Sequence, residues 1–286
     1  MILSMTGFGK ASLQLSTKKI TVEVKSLNSK GLDLNTRMPS VYRENELALR
    51  NLLAQKLERG KVDFSLFVEV TGEETSSKIN APIVKAYIAQ MKAILPNADE
   101  TELMKMAVRM PDTMKTEREE IDPNEWKQIQ TVIDEAIDNM LSFRTSEGAS
   151  LEKEFILRIE NIRSYMNQAL ALDPERVTAI KERLQTAIDE LKVNVDTNRF
   201  EQELIYYLEK LDITEEKVRL TNHLDYFLQT LNGSEANGRK LGFITQEMGR
   251  EINTMGSKSN HAEMQKLVVM MKDELEKIKE QVLNVL

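Results

Sequence analysis

Glu247 and Glu251 lie four residues apart, and so do Glu276 and Glu280. In a helix that spacing projects both carboxylates of a pair from one face. Between the pairs runs a polar stretch, Asn253 to Asn260, which carries Gly256, Ser257, Lys258 and Asn260. It reads as a loop joining two helices. If those helices form an antiparallel hairpin, carboxylates, a lysine and amides converge on one groove. Hard oxygen donors of this kind hold Mg²⁺ or Mn²⁺ and so support metal-assisted phosphodiester chemistry. The plainer reading is a solvated face, with Arg250, Lys277 and Lys279 as ion-pair partners.

His223 is one of two histidines, and it borders an apolar stripe made by Leu220 and Phe227. It is either a hydrogen-bonded packing residue or a metal ligand or general acid–base group acting with Glu203. His261 follows the polar stretch and either ligates metal or begins the last helix. A glycine beside a hydroxyl and an ammonium, as in Gly256-Ser257-Lys258, suits phosphate contact. The spacing of a P-loop is absent. Near the start, Lys25, Asn28 and Lys30 follow a strand pattern, with Arg37 beyond them and Arg59, Gly60 and Lys61 before another strand. These form a basic, amide-bearing patch fit to follow a nucleic-acid backbone, or they serve loop solubility. No serine-hydrolase, zinc-protease or dinucleotide fingerprint is present.

The elements that must position these residues are legible in outline. Ile20, Val22 and Val24 alternate with polar residues, as do Leu32 and Leu34, and Val62 to Val70 alternate most strictly. These are strands with one face buried. Val41 to Leu57 is predicted to be a helix ending before Gly60, giving a small α+β unit. Beyond residue 80 helical patterns dominate: Pro82–Leu95, Asp99–Arg109, Pro123 to about Phe143, Leu151–Leu172, Pro174 to about Lys192, Arg199–Leu211, and Thr214 to about Leu231. The short Thr113–Glu119 segment is expected to return to the sheet. The last helix carries Met264, Leu267, Met271, Leu275, Ile278 and Val282 at 3,4 spacing. The fold class expected is α+β: a mixed N-terminal domain, residues 1–155, followed by a helical body, residues 156–286.

With 286 residues the chain can bury a substantial core, and it has no cysteine, so disulfides, thiolate zinc sites and cysteine nucleophiles are excluded. The start lacks the apolar core of a secretory signal, and no apolar run is long enough to span a bilayer. A cytoplasmic protein is the expectation. The net charge is −7, but it is unevenly spread. Residues 1–70 hold 11 Lys and Arg against 7 Asp and Glu, and residues 237–286 hold 8 against 7. An acidic chain with basic ends can still bind RNA, because affinity follows the phosphates contacted and not the global charge.

Several strings carry a family resemblance. At the start they are Met5-Thr6-Gly7-Phe8-Gly9, Val22 to Asn28 and Glu58-Arg59-Gly60-Lys61-Val62, with Glu147-Gly148 in the middle. Towards the end they are Phe200-Glu201-Gln202-Glu203, Lys210-Leu211-Asp212-Ile213, Gly238-Arg239-Lys240-Leu241, Gln246-Glu247-Met248, Arg250-Glu251, Asn253 to Lys258 and Leu275 to Gln281. In these the chain resembles the YicC/YloC family of bacterial proteins. The resemblance implies an endoribonuclease of single-stranded or structured RNA that depends on Mn²⁺ or Mg²⁺. It also implies a part in small-RNA turnover beside exoribonuclease machinery, and a ring-like homo-oligomer, a hexamer, enclosing RNA. On that reading Glu247, Glu251, Glu276, Glu280 and His261 hold metal. His223 or Glu203 orders the attacking group, and Ser257 and Lys258 contact phosphate. Lys25, Asn28, Arg37, Arg59, Lys61, Arg239, Lys240, Arg250 and Asn253 bind RNA. Gly249 stands where the family pattern has Asn, and His261 where it has Asp; a histidine there shifts preference towards Mn²⁺. The alternative is a non-catalytic adaptor that delivers RNA to another nuclease.

Overall fold

The computed structural model describes residues 2–71, 78–115, 122–191, 197–233 and 238–286. Four strands open the chain, the first three being β1 (Gly7–Gln14), β2 (Lys18–Leu27) and β3 (Leu32–Arg37). A 3-10 turn at Ser40–Asn45 and helix α1 (Glu46–Lys56) then lead to β4 (Gly60–Val70). The sheet order is β1-β2-β4-β3, antiparallel except for the parallel β3/β4 edge. The alternation at Ile20, Val22, Val24, Val62, Phe64 and Leu66 puts all six on the buried face. The expected helix from Val41 is shorter than its sequence pattern. Its first part is drawn into the 3-10 turn, because Tyr42 is buried, stacks on Trp126 and donates to Glu125 Oε1.

A separate small unit follows: β5 (Lys78–Ile79), α2 (Ala81–Ile94), α3 (Glu100–Ala107) and β6 (Met114–Lys115). The expected return of Thr113–Glu119 to the main sheet is corrected here. Met114 and Lys115 pair with β5 in their own ribbon, and residues 116–119 lie outside the described ones.

Helix α4 (Pro123–Ala171) is continuous over 49 residues, where the sequence pattern had predicted two helices. The stretch between the two expected helices, Thr145 to Gly148, is instead helical and forms a contact. A Cβ on Gly148 would sit 2.0 Å from the Ile2 carbonyl oxygen, so the glycine lets the N-terminal segment cross the helix. The same logic explains Gly9, whose Cβ would fall 2.0 Å from the Ala136 oxygen. The first half of α4, from Ile129 to Met140, covers the sheet in one core. Its second half, from Leu151 to Met166, packs in another core with the final three helices.

The remaining helices are α5 (Asp173–Leu191), α6 (Thr197–Lys210), α7 (Thr214–Leu231), α8 (Gly238–Lys258) and α9 (Ala262–Val282). The expected Asn253–Asn260 loop is also corrected: α8 runs on to Lys258, and only Ser259–His261 turn the chain. Thr254 and Ser257 donate their hydroxyls back to Arg250 and Thr254 carbonyls, which keeps this polar stretch helical. Gly242, Gly249 and Gly256 recur every seven residues and face Val282, Leu275 and Val268 on α9. This stripe brings the two antiparallel helices close, and Gly249 is a packing position within it.

Candidate active site

Helices α7 and α8 run antiparallel, and three contacts fix their register. Lys258 Nζ donates to Glu216 Oε1 at 2.7 Å, Arg219 Nη1 lies 4.0 Å from Glu251 Oε1, and Lys240 Nζ stands 4.9 Å above the Tyr226 ring. On α7 the sequence Arg219, His223, Tyr226 forms one face. On α8 the matching face carries Lys240, Glu247, Glu251 and Lys258. His223 lies between the Arg219 and Tyr226 contacts, and Glu247 lies between those of Lys240 and Glu251. The register therefore sets His223 and Glu247 between the same two contacts, with Glu251 one helical turn further along α8, beside Arg219. His223 and Glu247 are half-buried, so both retain access to solvent, while Glu251 is 8 % exposed.

The groove mixes charge signs. Arg250, three residues after Glu247, reaches its carboxylate at 2.8 Å. Arg219 is shared between Glu251 and Glu215. Arg239, Lys240, Arg250 and Asn253 are exposed on α8. An imidazole, carboxylates and flanking cations are groups able to move a proton and to neutralise phosphate oxygens.

Lys258 closes one end. Besides Glu216 it donates to the Asp212 carbonyl at 2.9 Å, and its own carbonyl accepts from Arg176 at 2.8 Å. Arg176 also donates to the Leu211 carbonyl, so the strings Lys210–Ile213 and Gly256–Lys258 meet in one knot. Glu216 is 3 % exposed, and its Oε2 has no hydrogen-bond partner among the described residues. Hydrogen bonds from Thr214 hold the Asp212 carboxyl below the usual range, with Lys258 adding to the effect. Ser257 is exposed and donates to the Thr254 carbonyl.

Other expected site residues sit elsewhere. Glu276 and Glu280 are exposed on α9, with Glu276 paired to Lys279 at 2.6 Å. The buried glutamate of that helix is Glu274, which accepts from Arg158, Asn161 and Lys277. His261 caps α9, its Nδ1 accepting from the Met264 N–H. Glu203 lines a cleft between α5 and α6, with Leu184, Ile188, Phe200 and Tyr207, and not the groove that holds His223. Among the described residues, no cluster of three or more His, Asp or Glu side chains is set to hold a metal ion.

The N-terminal patch is partly structural. Asn28 Nδ2 donates to the Leu283 carbonyl and Arg59 Nε to that of Ser29. Lys25 pairs with Glu23 and lies over the Phe8 ring, whereas Arg37 and Lys61 are exposed. Beneath them Arg144 is 1 % exposed, and its Nη2 donates to Met5 O, Ser26 Oγ and Arg59 O. Burial pushes its guanidinium below the ordinary arginine range. Gly60, at φ 127°, fits against this arginine in a conformation that other residues rarely adopt. Three of the N-terminal strings thus converge on Arg144. Sequence reasoning missed Arg144, Arg219, Glu216 and Tyr226. For Arg219 and Tyr226 the available signal was their spacing of four and three residues from His223.

Fold and groove together define an α+β protein whose helical half displays a mixed acid–base and cationic face. Residues 2–153 match the N-terminal region of the endoribonuclease YicC-like proteins, and residues 169–286 match their C-terminal part. The chain belongs to that family. It is 32 % identical over 293 residues to a probable endoribonuclease YicC of Clostridioides difficile, covering all of both chains. It is 29 % identical over 286 residues to a probable endoribonuclease YicC of Haemophilus influenzae, covering 99 % of each. No helix among the described residues is long and apolar enough to cross a membrane.

Proposed function

We propose that this protein is a cytoplasmic endoribonuclease that hydrolyses RNA phosphodiester bonds in the α7/α8 groove with the help of Mn²⁺ or Mg²⁺. The names of its relatives support the activity. The observation that carries the location is the α7/α8 register, which sets His223 and Glu247 between the Arg219–Glu251 and Lys240–Tyr226 contacts, with Arg250 paired to Glu247. Two carboxylates fit such an ion, because Mg²⁺ is commonly held by one or two carboxylates, with water and substrate phosphate completing its shell. Glu247 and Glu251 are the residues that would hold it. When bound, the ion polarises the phosphate and offsets the charge that develops on it.

The chain's own groups supply the rest. His223 accepts the proton of the attacking water. Arg219, Arg250 and Lys240 exchange their present partners for non-bridging phosphate oxygens, where charge-assisted bonds are strong. Lys258 anchors the end of α8 with two of its three N–H groups, leaving the third for a phosphate near Ser257. Lys25, Lys61 and Arg37 guide more distant backbone. Assembly of several copies around the RNA, in a ring, and co-operation with other RNA-degrading enzymes belong to the same proposal. So does a part for Glu203, Glu276, Glu280 and His261, which a neighbouring copy would have to bring to the groove.

The adaptor reading has one observation in its favour, the lack of a three-ligand cluster among the described residues. Incubating a labelled hairpin RNA with purified protein in Mn²⁺, Mg²⁺ or EDTA separates the two. Cutting that requires metal and is lost in His223→Ala supports the nuclease. Binding without cutting in any metal supports the adaptor.

A further inference from the structure

His223 and Glu247 each have an exposed aromatic ring one helical turn away on their own helix. Tyr226 follows His223 by three residues on α7 and is 45 % exposed. Phe243 precedes Glu247 by four residues on α8 and is 61 % exposed. Because the helices are antiparallel, three residues forward on α7 and four back on α8 lead towards the same end of the groove. Neither ring serves the core. Phe227, Leu241 and Ile244, their sequence neighbours, are the buried residues at this level. Phe243 makes no ring contact among the described residues, and the Tyr226 ring carries only Lys240 over its face. Arg239 and Lys240 are exposed on α8 about one turn before Phe243.

From this placement we propose that Tyr226 and Phe243 form a nucleobase subsite at one end of the groove. It holds an unpaired nucleotide next to the scissile phosphate while Arg239 and Lys240 contact the backbone. The inference rests on the reading of the groove as an RNA-cleaving site. Rings with cations beside them suit an unstacked base, whose π-face and phosphate are engaged together. A base inside a duplex presents neither face, so the subsite selects single-stranded positions. One helical turn, about 5 Å, separates the rings from His223 and Glu247, which is on the scale of one nucleotide step.

The test uses the full chain and a labelled 12-nucleotide single-stranded RNA, with binding measured by anisotropy in EDTA and cleavage in Mn²⁺. Stacking accounts for about 1–3 kcal/mol per base, or about 5- to 150-fold. The double variant Tyr226→Ala/Phe243→Ala should therefore bind at least about 10-fold more weakly and show a KM raised to match. The pair Tyr226→Phe/Phe243→Tyr should stay within about twofold of wild type, since the rings are kept. An RNA with an abasic site beside the mapped cut should bind wild type more weakly, yet lose nothing further with the alanine variant. Equal binding by wild type and the alanine variant overturns the subsite. So does an abasic penalty of the same size for both proteins. A change of molar mass by light scattering, with RNA binding intact, also overturns it and assigns the rings to a contact between copies. If wild type cuts and the alanine variant cuts alike, the subsite falls and the nuclease stands. If wild type cuts in no metal but ring-dependent binding persists, the nuclease falls and the subsite stands.

Discussion

At the scale of single residues, the glutamates of the helical half differ in burial and in how firmly their partners hold them. Glu247 keeps solvent access, whereas Glu216 and Glu274 are spent on fixed partners. Removing the partner of a buried carboxylate strands its charge. Lys258→Ala should therefore destabilise the protein by on the order of 2 kcal/mol, below the value for a fully buried pair because Lys258 is itself about a quarter exposed. Chemical denaturation measures this, and Glu216→Gln in the same background should recover part of the loss. Glu274 gives a pH prediction. Burial alone would raise its pKa, but hydrogen bonds from Asn161, Lys277 and Arg158 outweigh this and lower it below the ordinary 4.5. A depressed folded-state pKa contributes stability above the ordinary value, and that stability is lost as pH falls through the lowered one. Stability should thus drop on acidification below about pH 4.5, and the drop should be shallower in Glu274→Gln. Equal acid limbs for the two proteins would contradict this assignment.

At the scale of elements, the α8/α9 hairpin depends on its glycine stripe. A Cβ on Gly256 would lie 2.9 Å from Val268 Cγ1. Gly256→Ala should cost about 1–3 kcal/mol through overpacking, and Val268→Ala in the same chain should relieve part of it. Additive losses in a double-mutant cycle would show that the helices do not meet there. The elements also mark what could be seen in the sequence. The strands were legible at Ile20–Val24 and Val62–Val70, because one buried face imposes period two. The helical bundle was legible in the 3,4 spacing of the last helix. The first strand was not, because Gly7 and Gly9 replace apolar residues wherever α4 lies on the backbone. Helix ends were misread at Gly148 and Gly256 for the same reason. A glycine chosen for close approach looks like a glycine chosen for a turn. The paired glutamates of α8 were legible as a face. That α7 packs along the α8 face bearing them depends on long-range packing that local spacing does not carry.

At the scale of the whole molecule, one helix ties two cores together. α4 covers the sheet with its first half and completes the bundle with its second. The termini strengthen the tie, with Met5 N–H donating to Asn284 O and Leu286 N–H to Leu3 O. The single tryptophan, Trp126, lies against the sheet core, while most helical signal comes from the other half. Tryptophan fluorescence and far-UV circular dichroism should therefore report coincident unfolding, and two separated transitions would contradict a shared helix as the coupling element. Gly148→Ala, which forces α4 off the N-terminal segment, should cost about 3 kcal/mol and lower both signals together.

In the proposed function the α7/α8 groove cuts RNA with Glu247 as a metal-holding carboxylate. The most direct measurement is cleavage of a labelled hairpin RNA by wild type and by Glu247→Gln, in Mn²⁺, Mg²⁺ or EDTA, with RNA binding followed in parallel. Metal-dependent cutting should fall at least about 100-fold in the variant while binding and fold persist. Equal cutting by the two proteins would place the chemistry elsewhere.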